Sequence, residues 1–139
     1  MIKLSTKGRY GARLMLNLAH HYKNGHESVI LKSVSDEEEI SINKLVKSIR
    51  GAGGGYTLAR HPSKIILSEI LHALEGSCCL VDCIEDNDYC NLIPICATYD
   101  VWKEASRLLK DYFESITLQD LVEKSNKKKA KAKSKSKNP

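Results

Sequence analysis

LVKSIRGAGGGYTLARHPSKI (residues 45–65) holds two short runs of β-type residues, 45–49 and 56–60, around a glycine-dense stretch with one arginine, Arg50, at its mouth. Glycine adopts the positive backbone angles that a tight reversal needs, so the pattern predicts an antiparallel β-hairpin. A phosphate-cradling loop is the rival reading of so many glycines. Such loops lead from a strand into a helix, however, and Tyr56-Thr57-Leu58 reads as a second strand. His61-Pro62 then breaks the chain, and Lys64-Ile65-Ile66 adds a short extended piece.

Working outward, residues 5–22 open with Ser5 or Thr6 as an N-cap. Tyr10, Leu14, Leu18 and Tyr22 follow at i, i+4 spacing, with Met15 and Ala19 widening the stripe, which predicts an amphipathic helix. After a turn at Gly25, residues 29–40 (VILKSVSDEEEI) predict a shorter second helix. On the other side of the hairpin, residues 68–75 predict a brief helix stopped by Gly76. Val101, Trp102, Ala105, Leu108, Leu109 and Tyr112 then give a helical stripe, and Thr117-Leu118-Gln119-Asp120 is a capping box that starts a last helix through Val122. Trp102 and Tyr112 are large for the core of so small a domain. The stripe is therefore read as a dimerisation helix, with an intramolecular core as its rival.

Charge sharpens the picture. The 139 residues carry a net +5, yet Asn126 to Pro139 (NKKKAKAKSKSKNP) contributes seven lysines and no acid. Residues 1–60 hold 10 basic and 5 acidic groups, whereas residues 61–125 hold 5 basic and 12 acidic. The basic front half suits a polyanion, the acidic back half does not. The Lys-rich end, 124–139, has no apolar residue beyond alanine after residue 125 and is expected to be disordered, either thickening polyanion binding or simply solubilising the chain.

A helix pair followed by a basic-tipped hairpin is the outline of a winged helix-turn-helix, whose hairpin, the wing, approaches a DNA groove. Arg50, Gly51, Gly53 and Gly54 stand at the predicted wing tip, with Tyr56 at the start of its return strand. Ser5, Thr6, Lys7 and Arg9 gather free N–H groups and positive charge at the first helix's N-terminus, which suits phosphate contacts.

All five cysteines lie between Cys78 and Cys96, an odd number that fits a secreted disulfide framework poorly. Cys83, Cys90 and Cys96 follow the spacing C-x6-C-x5-C, and three thiolates in one loop can converge on a soft metal. An iron–sulfur cluster and zinc both remain open at this point, since Cys79-x3-Cys83 could supply a zinc knuckle, and so do inert thiols. No apolar run approaches the roughly 20 residues of a spanning helix, and Met1-Ile2-Lys3-Leu4 runs into polar residues, so no membrane association and a cytoplasmic location are expected. No Ser/His/Asp grouping, P-loop or paired-carboxylate motif stands out, and the chain is not expected to be an enzyme.

KLSTKGRYGARLMLNLA at the start, the RGxxGGYxL wing, ILHALEG, three spaced cysteines followed six residues later by Trp102, and SITLQDLV near the end run in order through residues 2–123. Together they resemble the IscR, NsrR and CymR type of winged-helix transcription regulators, most nearly the IscR-like iron–sulfur branch. The resemblance implies a mainly α fold with a small β-hairpin: a winged helix-turn-helix plus a long dimerisation helix. It divides the chain into a DNA-binding region (1–66), a short helix with a cysteine sensor loop (67–98), the dimerisation and C-terminal helices (99–123) and the tail.

It further implies a homodimer on double-stranded promoter DNA, acting as a repressor or activator. Cys83, Cys90 and Cys96 would hold an iron–sulfur cluster, [2Fe-2S] before [4Fe-4S], that senses iron–sulfur, redox or nitric oxide status. The alternatives are a cluster-free regulator of cysteine or sulfur metabolism controlled by a protein partner, as in the CymR-like branch, or a zinc-binding variant. Two departures stand out. Tyr99 occupies the position of the IscR-like histidine ligand and Gly8 that of an acid some relatives use, which leaves Cys79, Asp82, Glu85, His72 or a partner-chain group as fourth ligand. Only Ile42-Asn43-Lys44 separates Ser41 from Leu45, about 5 Å of helix and less than one turn, where the family pattern has a recognition helix.

Overall fold

The computed structural model describes residues 3–22, 44–51 and 54–137. The second helix expected over 29–40, the turn at Gly25 and most of the short 42–44 interval lie outside the described residues, as does Gly53 at the wing tip.

The first helix, α1 (Thr6–His20), starts at Ser5, whose Oγ accepts a hydrogen bond from the Gly8 N–H at 3.1 Å. That bond satisfies one of the donors a helix N-terminus leaves open. Most of the stripe expected on α1 is buried: Met15, Leu18 and Ala19 lie in the core and Tyr22 packs against it. Tyr10 is the departure, 61% exposed, and Gly8 is buried on the packed face. The reason is the approach of α2 (Leu67–Glu75), which crosses α1 at its glycines. A Cβ on Gly11 would overlap Leu74 Cδ1, and one on Gly8 would overlap the Glu75 carboxylate. From α2, Ile70, Leu71 and Leu74 turn inward, and the helix stops at Gly76 with φ 78°.

The expected hairpin is present. β1 (Val46–Ile49) pairs antiparallel with β2 (Gly55–Leu58), Val46 opposite Leu58 and Ile49 opposite Gly55. Its inner end is buried through Leu45, Val46, Thr57 and Leu58, which anchors the strands, while Arg50 and Gly51 at the outer end are exposed. At the tip Gly51 adopts φ 103°, and the Gly54 N–H donates to the Gly51 carbonyl at 3.0 Å.

A 3-10 turn (Pro62–Lys64) leads into α2, and the chain here is tied to residues fifty positions later. Leu118 N–H donates to the Ile65 carbonyl and Leu67 N–H to the Ile116 carbonyl, both at 2.8 Å. This closes one core around Met15, Leu18, Leu58, Ile65, Ile70 and Leu118. Between these two tied segments lie α3 (Asp82–Glu85), a 3-10 turn (Ile93–Ile95) and α4 (Ala97–Glu114). The last helix, α5 (Leu118–Ser136), begins at the predicted capping box: Asp120 N–H donates to Thr117 Oγ1 at 3.1 Å, and Thr117 N–H to Asp120 Oδ2 at 2.9 Å.

In the C-terminal half, the rival reading of the α4 stripe as an intramolecular core falls away: Val101, Trp102, Leu108 and Tyr112 are all exposed, and only Ser106 is buried on that helix. The Lys-rich end, expected to be disordered, continues α5 as helix to Ser136. Lysine and alanine are good helix formers, and lysines in the last turn complement the helix dipole, so helicity does not require a buried face. Among the described residues, no helix is long and apolar enough to cross a membrane.

Candidate DNA-binding surface and cysteine segment

The hairpin presents Arg50 and Gly51 as exposed residues at its outer end. Gly54 is fixed as glycine by geometry, because a Cβ there would run into the Ile49 carbonyl oxygen. Tyr56, predicted to face DNA, is half-buried and packs against the hydrophobic core, so its ring also steadies the hairpin's footing. On α1, Thr6 and Arg9 are exposed and Lys7 is half-buried. Arg9, Tyr10 and Arg13 line a shallow depression, with the Arg13 guanidinium 5.9 Å from the Tyr10 ring centroid. This exposed cation–aromatic group includes the tyrosine that periodicity assigns to the core.

Ser5 differs from the rest of the predicted phosphate-contact set, because its donors are engaged within the protein. Its N–H and its hydroxyl both donate to Glu75 Oε1, at 3.0 and 2.5 Å. A carboxylate at the N-terminus of α1 is favoured by the helix dipole, and the bare Gly8 makes room for it. Nothing in the linear sequence pairs positions 5 and 75, and the tie becomes visible only once the two helices are packed.

Glu75 is also the last residue of α2 before the cysteine segment. Cys78 is half-buried, and its thiol is pushed above the ordinary range by that burial, then by the neighbouring Cys79 and Glu75. Cys83 lies on α3, Cys90 in the loop that follows, and Cys96 is the residue that caps α4. The Cys96 thiol is shifted the opposite way. Hydrogen bonds from the Thr98 hydroxyl, 3.2 Å from Sγ, and from the Tyr99 backbone favour its thiolate. All five cysteines are free. The segment is pinned once to α4, where the buried Ser106 Oγ accepts the Leu80 N–H at 3.0 Å. A serine inside an otherwise apolar stripe was the available sequence signal for that role.

The donor chemistry of Cys83, Cys90 and Cys96 suits a soft metal, since the thiolate is the ligating form and Cys96 is biased toward it. The geometry does not gather them: among the described residues, no group of three or more His, Cys, Asp or Glu side chains is arranged to hold one metal ion. Tyr99, at the position of a histidine ligand in the resemblance, is half-buried with the Lys103 ammonium 5.8 Å from its ring centroid.

Compared with known proteins, residues 4–124 match the family described as "Rrf2: Iron-dependent Transcriptional regulator". The chain belongs to the Rrf2 family. Within it, the HTH-type transcriptional regulator CymR of Bacillus subtilis (strain 168) is 35% identical over 133 residues, covering 87% of this chain and 90% of that protein. The solved structure of CymR, the global cysteine regulator of B. subtilis, superposes with a TM-score of 0.68 at 34% identity, over 88% of this chain and 98% of that one. T. potens IscR gives the same TM-score and identity over 89% and 88% of the two chains. The hairpin is therefore the wing of a winged-helix fold, and the chain is a transcriptional regulator of the Rrf2 family. Its likeness extends to both IscR and CymR, the branches that the sequence resemblance left in competition.

Proposed function

We propose that this Rrf2-family regulator acts in the cytoplasm as a homodimer on promoter DNA. On this reading the wing residues Arg50, Gly51, Gly53, Gly54 and Tyr56, with Thr6, Lys7 and Arg9 of α1, form the DNA-facing set, while Ser5, whose donors Glu75 takes, holds the N-terminus of α1 in place. Segment 78–96 is the sensor, and Cys83, Cys90 and Cys96 would hold an iron–sulfur cluster, [2Fe-2S] in preference to [4Fe-4S]. The observation that carries the reading is the placement of the thiols. They occupy the stretch between α2, whose Glu75 holds the N-terminus of α1, and α4, whose apolar stripe is uncovered and whose cap is itself Cys96.

The residues act as follows. When bound, the cluster would supply a centre that reacts with oxidants or nitric oxide. Cys96, held toward thiolate by Thr98, is the donor most ready to ligate. Cys83 and Cys90 would have to be brought to it, and the Leu80 N–H bond to Ser106 ties the segment that carries them to α4. A second copy covers Val101, Trp102, Leu108 and Tyr112, so a shift of α4 re-spaces the two wings and DNA affinity follows by linkage.

The test is anaerobic purification, visible absorption and counts of iron and acid-labile sulfide, followed by promoter binding of the loaded protein and of Cys83→Ala. The reading expects iron and sulfide in the wild type and a changed promoter affinity in the variant. Equal affinity and equal salt dependence for the two would remove the cluster from the switch. The second reading, a cluster-free regulator answering to a protein partner, is favoured by the likeness to CymR and by the ungathered thiols. Iron-free, sulfide-free protein that still binds its promoter would select it.

A further inference from the structure

The last helix has two parts with different reasons to exist. Its first two turns belong to the body: Leu118 is fully buried, Leu121 and Val122 pack against the core, and Ser125 Oγ lies 3.2 Å from His20 Nε2. From 126 to 136 every residue is exposed, yet the helix continues. The last acid in the chain is Glu123, so no carboxylate follows to balance the lysines.

The lysines are not spread evenly around the helix. At 3.6 residues per turn, Lys124, Lys127, Lys128, Lys131 and Lys135 fall within an arc of about 100° that flanks the Leu118, Leu121, Val122 and Ser125 face on its Leu121 side. Lys129, Lys133 and Lys137 form a second row. Like charges meet at i, i+4 in the pairs 124/128, 127/131, 129/133, 131/135 and 133/137, each mildly unfavourable. From 128 onward the described residues give this exposed extension neither packing nor an acid of its own helix, and its helical form rests on lysine and alanine propensity and the helix dipole.

We propose that 124–137 is a second DNA-binding element, in which the Lys124, Lys127, Lys128, Lys131 and Lys135 stripe lies along the phosphate backbone beside the sequence contacted by the wing. Duplex DNA is a regular polyanion with one charge per about 1.7 Å of axis, and it offsets the repulsion along the stripe as counterions are released. The element reads no bases and is fixed as helix on the DNA. It rests on the DNA-binding reading above and adds to it a sequence-independent share of affinity.

The experiment compares full-length wild type with two triple variants that remove equal charge: Lys127→Gln/Lys131→Gln/Lys135→Gln on the stripe, and Lys129→Gln/Lys133→Gln/Lys137→Gln on the other row. Affinity for a promoter duplex with long flanks and for an unrelated duplex is measured across a salt series. The stripe triple should flatten the log–log salt dependence by about 2.7 per protomer, at about 0.9 for each phosphate no longer neutralised, and weaken both duplexes alike. The other triple should change it by less than half as much. Amides of 126–136 should also gain hydrogen-exchange protection on the duplex.

Equal slopes for the two triples, or wild-type slopes in both, overturn the inference while leaving promoter binding intact. A wild type that binds neither duplex overturns the DNA-binding reading itself. Loss of binding to phosphatidylglycerol vesicles by the stripe triple, with DNA binding unchanged, would assign the stripe to a lipid surface instead.

Discussion

The α1–hairpin–α2 unit and the α3–α4 half use apolar periodicity in opposite ways. In the first, Met15, Leu18, Leu58, Ile65, Ile70 and Leu118 close on one another, and Gly8 and Gly11 of α1 give way to Glu75 and Leu74 at the helix crossing. In the second, an equally regular stripe, Val101, Trp102, Leu108 and Tyr112, faces outward with no counterpart among the described residues. The opposite face of α4 is charged, with Arg107 bridging Glu104 and Asp111, so the helix is amphipathic without an inside. A closed core sets stability within one chain, whereas on the proposed dimer reading the open stripe would set it between chains.

Truncating one side chain in each region tests that contrast. Ile70→Ala, at a fully buried site, should lower the unfolding free energy by about 2–5 kcal/mol at any protein concentration. Leu108→Ala, at a site 55% exposed, should cost little in a monomer and show its effect only through association, as a midpoint that depends on protein concentration. Urea titrations at several concentrations, with sedimentation equilibrium for Leu108→Ala, separate the two. A concentration-independent loss of similar size for both would break the comparison. Next in size is Gly11→Ala. At an exposed helical site, alanine would gain up to about 1 kcal/mol over glycine. Here the methyl overlaps buried Leu74, and overpacking costs about 1–3 kcal/mol, so the sign should invert to a net loss of about 1 kcal/mol.

That inversion also explains what the sequence could not reveal about α1. Its helix and Ser5 cap were legible because capping is local, and so were the wing and the Thr117 box, whose signals lie within four to a dozen residues. Met15, Leu18 and Ala19 of the buried face were legible too, but periodicity counts the exposed Tyr10 as core and gives glycine no weight. Whether a glycine is a packing surface depends on Leu74, sixty residues away. The Lys-rich end was misread for a related reason: lack of apolar residues argues against a core, not against a helix. The cysteine spacing was legible as donor chemistry, but the separation of α3, the loop and the α4 cap is a tertiary property.

A smaller effect probes the junction between the regions. Thr117→Ala removes one side of the capping box that starts α5 where Ile116 and Leu118 join the α2 entry, and it should cost about 1 kcal/mol in urea unfolding. Asp120 adds a pH signature. Hydrogen bonds from the Thr117 backbone and side chain hold its carboxyl below the ordinary range. Its share is therefore complete above the unfolded value of about 3.9 and is lost as pH falls through the lower folded value. In Thr117→Ala the acid limb of the stability curve should lie at higher pH than in wild type.

The last contrast lies inside the cysteine segment and changes reactivity more than stability. Burial raises the Cys78 thiol, while Thr98 and the Tyr99 backbone lower that of Cys96. For Cys96 the fold favours the charged form, a contribution present above the unfolded value and lost as pH falls through the folded one. For Cys78 it favours the neutral form, a contribution present below the unfolded value and lost as pH rises through the folded one. The thiolate is the nucleophile, so alkylation by iodoacetamide, followed residue by residue by mass spectrometry from about pH 6 to 9, should reach Cys96 first and Cys78 last. Thr98→Val should move the Cys96 profile to higher pH and leave Cys78 unchanged. If Thr98→Val moved both profiles together, the two ends of the segment would be acting as one unit, and the pin between Leu80 and Ser106 would be the first contact to cut.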